Sequence, residues 1–211
     1  MRYYLFFLTV IFYLESFSQN NDLSISSIVN QVYNPERIES VKQLKNSKGF
    51  TRIKIDSEKK ISFVLYFDYK LKKIDTLISS LNSQIPFFTE YYLSRDEKKI
   101  LLETETDKIY RRSKQSIYYV YEIKSKKINK VFVDKIQEPL FSPNGKKVAF
   151  IYRRNIYIKD LLNNKTEKIT NDGSYQILNG ISDWVYEEEF GFVRAFDWSP
   201  DSNNIAYIKF D

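Results

Sequence analysis

The 211-residue sequence contains neither cysteine nor histidine. The first absence excludes disulfides, thiol nucleophiles and zinc sites built on thiolate. The second removes the imidazole that serves as general base in a Ser-His-Asp triad, so these residues cannot hold such a catalytic centre. Glycine is scarce, at five residues, and there is no glycine-rich phosphate loop and no Gly-x-Ser-x-Gly nucleophile elbow. No carboxylates stand at metal-ligand spacing either. Catalytic residues, metals and cofactors are therefore not expected within the chain.

What the chain has in quantity is aromatic residues, 17 Tyr and 16 Phe. They fall in alternating runs such as Ser116-Ile117-Tyr118-Tyr119-Val120-Tyr121-Glu122-Ile123, which suit strands better than helices. The formal net charge is +6. The cations are spread in pairs, Lys59-Lys60, Lys72-Lys73, Lys98-Lys99 and Lys146-Lys147, each where a turn or strand start is expected. A nucleic-acid binder would cluster them on one element, so nucleic acid is not an expected partner. The length suits one domain or a piece of a larger one.

The N-terminus carries Arg2, an apolar run from Tyr3 to Leu14, then Ser16-Phe17-Ser18 ahead of polar Gln19-Asn20-Asn21. This pattern predicts a secretory signal peptide over residues 1–18, cleaved after Ser18. The run falls short of the ~20 residues of a spanning helix. A buried N-terminal strand or a short anchor is the competing reading. Export predicts a secreted or, in a Gram-negative cell, periplasmic protein.

Residues 19–50 form a segment with helical character around Leu23–Val29, and strands follow. A loose repeat then governs residues 51–211. Tyr92-Leu93-Ser94-Arg95-Asp96-Glu97-Lys98-Lys99-Ile100, Leu140-Phe141-Ser142-Pro143-Asn144-Gly145-Lys146-Lys147-Val148 and Asp197-Trp198-Ser199-Pro200-Asp201-Ser202-Asn203-Asn204-Ile205 share one pattern. An apolar residue and a serine lead into a polar turn and an apolar strand. A weaker first copy is read at Ile55–Val64. Proline fixes φ and Asn or Gly tolerates the left-handed region, so each copy starts a turn. The strand beyond alternates its faces. With a further strand pair after each copy, the unit has four strands, as in a propeller blade. The expected fold is all-β: an incomplete β-propeller of about three four-stranded blades plus the start of another. Coincidentally similar hairpins in a β-sandwich are the alternative. Propellers close with ~4 to 8 blades, so the chain is expected to be incomplete.

One stretch stands apart: Asp183-Trp184-Val185-Tyr186-Glu187-Glu188-Glu189-Phe190-Gly191. Three successive carboxylates repel one another, and they persist on a solvated face or where a cation is bound. With the preceding Asn179-Gly180-Ile181-Ser182, the stretch resembles the double-glutamate motif of the dipeptidyl peptidase IV family. The resemblance implies a serine exopeptidase that releases N-terminal dipeptides, with Pro or Ala as the second residue. It implies a propeller joined to a C-terminal α/β-hydrolase domain, which would carry the Ser, Asp and His beyond Asp211. It also implies that Glu188 and Glu189 bind the α-ammonium of a peptide with a free N-terminus. Glu187, Trp184 and Tyr186 would then be structural around the site. Arg111, within Lys108-Ile109-Tyr110-Arg111-Arg112-Ser113, resembles the family's arginine that orients the peptide and the glutamates, and Arg112 competes for that role. Residues 19–50 would lean on the hydrolase domain, and the full-length enzyme could form a homodimer. Two other functions remain open: a non-catalytic propeller module binding peptides or a partner, and a fragment of a prolyl tripeptidyl peptidase. The paired glutamates favour dipeptidyl spacing.

Overall fold

The computed structural model describes residues 24–34, 40–45, 48–82 and 84–211. The predicted signal peptide lies outside the described residues. The chain divides into two units, residues 1–37 and 38–211. In the first, helix α1 spans Ile25–Val29, started by a capping box in which the Ser24 and Ser27 side chains exchange hydrogen bonds with each other's backbone. This is the helical character anticipated from the sequence.

The second unit opens with three four-stranded antiparallel sheets. The first holds β1 (Val41–Gln43), β2 (Phe50–Asp56), β3 (Ile61–Phe67) and β4 (Lys73–Ser79). The second holds β5 (Glu90–Leu93), β6 (Lys99–Lys108), β7 (Lys114–Glu122) and β8 (Lys127–Lys130). The third holds β9 (Gln137–Phe141), β10 (Lys147–Tyr152), β11 (Asn155–Asp160) and β12 (Thr166–Lys168). Each follows chain order from edge to edge, as a blade does. After them β13 (Leu178–Asn179) leads to helix α2 (Trp184–Phe190), β14 (Phe196–Trp198), β15 (Ile205–Tyr207) and β16 (Lys209–Phe210), in two short pairs, β14–β15 and β13–β16. Three blades and the beginning of a fourth are therefore present. The first blade reaches back to Val41, inside the segment that the sequence set ahead of the propeller.

Three apolar seams lie between the sheets, and strand alternation supplies them. On β6, Ile100 and Leu102 face the first sheet's Ile53, Val64 and Ile78, while Leu101 faces the third sheet's Val148 and Phe150. On β10, Ala149 and Ile151 turn the other way to meet Ile181, Phe196 and Trp198. Strands buried on both faces explain the unbroken apolar runs at residues 100–102 and 148–151. Each fully buried aliphatic side chain contributes about 2 kcal/mol.

The repeated serine has a specific local task. Ser94 Oγ accepts the Lys99 N–H at 3.0 Å, Ser142 Oγ that of Lys147 at 3.0 Å, and Ser199 Oγ that of Asn204 at 2.9 Å. Three residues after each serine the backbone is left-handed, with φ of 57° at Glu97, 65° at Gly145 and 66° at Ser202. The first blade's version corrects the sequence reading. The Ile55–Val64 stretch is the β2–β3 hairpin, one strand later than expected. The equivalent turn begins at Leu44, whose N–H bonds to Gly49 O as that of Ser94 bonds to Lys99 O. Any tight hairpin shows polar turn residues between apolar strands, so the pattern alone did not separate the two.

A close approach ties the third blade to the 171–177 loop beyond it. A β-carbon on Gly173 would stand 2.4 Å from Arg154 O and 2.6 Å from Asn155 Nδ2. Gly173→Ala is therefore expected to destabilise the chain by about 2 kcal/mol. Thermal unfolding should register a fall of about 5 °C, and an unchanged Tm would show that the loop moves aside freely.

Candidate functional site

Helix α2 is an excursion whose base is closed by the Ile181–Arg194 bridge and by Ser182, whose hydroxyl donates to Phe192 O. Its limits are written in the sequence. Asp183 is the N-cap, its carboxylate accepting the Tyr186 N–H at 2.8 Å. Gly191 ends the helix in the left-handed conformation, φ 71°, with its N–H on Glu187 O.

Successive helical residues point about 100° apart, so the three glutamates cannot share one environment. Glu187 turns inward and is 2% exposed. Its Oε1 accepts the backbone N–H of Arg112 at 2.6 Å and of Ser113 at 2.9 Å. Burial pushes this carboxyl upward, but the Ser113 side chain, those two amides and the Arg112 charge outweigh it and hold the pKa below its ordinary value. Glu188 is half-buried, and its Oε2 lies 3.4 Å from Arg111 Nε. Glu189 is exposed.

The β6–β7 loop, residues 109–113, thus meets α2 at two places. The pairing distinguishes the two candidate arginines. Arg111 engages Glu188, whereas the Arg112 guanidinium packs beside Gly191, with Nη2 3.6 Å from where a β-carbon would stand. The Tyr186 ring centroid lies 5.1 Å from that of Phe190 and 4.8 Å from that of Phe210. Trp184 lies at the surface. It is 55% exposed and, with Glu187, borders a cleft of about 920 Å³.

Behind the loop lies a polar network that the sequence reading missed. Glu103 on β6, 2% exposed, accepts from Lys114 Nζ at 2.7 Å and from the hydroxyls of Tyr118, Tyr92, Thr106 and Ser116. Next to it, Glu138 lies 3.8 Å from Arg194. Burial raises the Glu138 pKa, against the opposing charges of Arg194 and Lys114. Spacing in the chain offers no signal for these groups, since they come from four strands, β5, β6, β7 and β9, and the segment after α2.

The architecture and the α2 excursion define a class, the propeller domains that carry an acidic helix at the start of a blade. The solved structure of Porphyromonas gingivalis dipeptidyl peptidase 4 is similar over 89% of this chain and 27% of its own, with TM-score 0.80 and 28% identity. The family described as the dipeptidyl peptidase IV (DPP IV) N-terminal region matches residues 94–211, and the chain belongs to that family. Among relatives, a putative dipeptidyl aminopeptidase of Schizosaccharomyces pombe is 30% identical across 96% of this chain and 26% of its own length. Dipeptidyl aminopeptidase B of Saccharomyces cerevisiae is 36% identical across 56% of this chain and 14% of its own. Mouse prolyl endopeptidase FAP is 32% identical over 70% of this chain and 20% of its own. The chain thus spans about a quarter or less of the length of these curated relatives.

Proposed function

We propose that this propeller region anchors the free N-terminus of a peptide for a dipeptidyl peptidase, with Glu188 and Glu189 as the ammonium ligands and Arg111 as the group that orients them. The Ser, Asp and His of the reaction would belong to a hydrolase domain outside these residues. The observation that carries the reading is the division of labour on α2. Glu187 is committed to backbone amides, and two neighbouring carboxylates remain accessible, one already braced by a guanidinium. Two carboxylates on one ammonium give charge-assisted hydrogen bonds. They would also fix the distance from amine to nucleophile, so that the peptide is cut after its second residue. The predicted export would bring this anchor to peptides outside the cytoplasm.

The test is peptide binding. A fluorescent peptide beginning Ala-Pro should bind the chain, and its N-acetylated form should bind about 30-fold more weakly. Glu188→Gln/Glu189→Gln should erase the difference. Equal binding of free and acetylated peptides would refute the anchor.

A further inference from the structure

The hairpin joining β10 to β11 is turned by Arg153 and Arg154, with Tyr152 paired to Asn155 across it. Both arginines are left-handed, with φ of 47° and 60°. Two-residue loops of this kind are filled without strain by Asn-Gly or Asp-Gly, and a β-carbon at both positions carries a steric cost. The surroundings impose the shape: Asn155 Nδ2 donates to Arg153 O at 3.1 Å, and the Asn179 N–H donates to Arg154 O at 3.2 Å. Turn chemistry therefore does not account for arginine here. Unfavourable backbone at a cleft points to what the side chains do.

Each guanidinium is braced on a tyrosine, Arg153 at 5.2 Å from the Tyr152 ring and Arg154 at 5.5 Å from the Tyr175 ring. Both line the cleft bordered by α2. Neither takes part in an ion pair among the described residues. The acids of the cleft are committed elsewhere. Asp134 accepts the Tyr152 hydroxyl, Asp183 caps α2, and Glu187 holds two backbone amides. The other cation, Lys135, pairs with Asp107 at 2.7 Å. Two guanidiniums stay uncommitted, each supported on one face and free to present its N–H edge to a carboxylate.

We infer that Arg153 and Arg154 form a subsite for acidic residues of the bound peptide, beyond the dipeptide held at α2. This inference rests on the amine anchor proposed above, because the cleft adjoins the helix that carries Glu188 and Glu189. The partner it selects is a peptide with a free N-terminus and Asp or Glu in its following residues.

The experiment measures fluorescence anisotropy with the 211-residue chain and three probes of the form Ala-Pro-Gly-X-X-X. One carries Asp-Glu-Asp at X, one carries Asn-Gln-Asn, and the third is the acidic peptide N-acetylated. The acidic peptide is expected to bind about tenfold more tightly than the neutral one at low ionic strength, with the preference shrinking as salt is added. Arg153→Asn/Arg154→Gly restores the residues that the turn prefers. It should melt at the same or a higher temperature, bind the neutral peptide as before, and lose the preference. A subsite of purely structural importance would not separate these readouts. Equal affinity for the two free peptides, a preference that survives in the variant, or no binding of the acidic peptide would each overturn the subsite. Acetylation reports on the amine anchor alone. If it changes nothing while the acidic preference persists, the anchor fails and the arginine subsite stands.

Discussion

Lys114→Met is expected to lower the stability of the chain by about 3 kcal/mol. Lys114 is the charged partner of Glu103 at 2.7 Å, in a site where the carboxylate has almost no access to water. Removing a carboxylate from water costs several kcal/mol, and the loss is recovered only while a countercharge and hydrogen bonds replace the solvent. The methionine keeps most of the apolar stem and removes the charge. Glu103 would then face only four hydroxyls. Those of Tyr118 and Tyr92 are fixed as neutral donors, because burial first and then the Glu103 charge push both phenols far above their ordinary pKa. The effect stays toward the low end of such losses because Lys114 retains some contact with water. Urea unfolding should show the drop in midpoint. Glu103→Gln/Lys114→Met, which removes both charges but keeps an acceptor for the hydroxyls, should lie within about 1 kcal/mol of the native chain. A single variant as stable as the parent would show that the hydroxyls alone carry the buried charge. The consequence reaches the candidate site, since Lys114 begins β7 directly after the loop bearing Arg111.

Local chemistry is what made parts of this molecule legible. The blade repeat was visible because one serine closes each turn through its own side chain, within five residues of itself. Helix α2 was visible because Asp183 and Gly191 mark its two ends and leave three glutamates between them. The expectation that Glu187 differs from its neighbours came from the family resemblance, and helical geometry supplies the physical reason. The misplaced first copy shows the limit of pattern: the turn at Leu44–Gly49 lacks the serine at its first position. Contacts between distant segments left no trace in the sequence. Glu103 meets Lys114 across the β6–β7 hairpin, Glu138 of the third blade meets Arg194 of the segment after α2, and Trp184 borders a cleft lined from several segments. The arginine pair at residues 153–154 was equally hidden, because only the backbone angles reveal that it occupies a turn suited to smaller residues.

Glu187→Ala is expected to weaken binding of a free-amine Ala-Pro peptide by about 30- to 100-fold, although Glu187 touches no part of the proposed anchor. A seven-residue helix is too short to hold itself in water, and Glu187 is the buried side chain of α2. The carboxylate joins the helix to the amides of Arg112 and Ser113, next to the residue that pairs with Glu188. Without it, the guanidinium and the two carboxylates of the proposed anchor lose their common frame, and a displacement of about 1 Å suffices for a loss of this size. The same bond makes the site sensitive to acid in a defined direction. The Glu187 pKa is depressed in the folded chain, so its contribution is fully present above the unfolded value, about 4.3, and is lost as pH falls through the folded one. Glu187→Gln keeps the shape and one acceptor but not the charge. It should cost about 1 kcal/mol at neutral pH and flatten the fall in stability on acidification. Peptide affinity that is unchanged in the alanine variant would mean that the Tyr186 ring contacts alone position α2, and that the buried carboxylate has no part in setting the anchor.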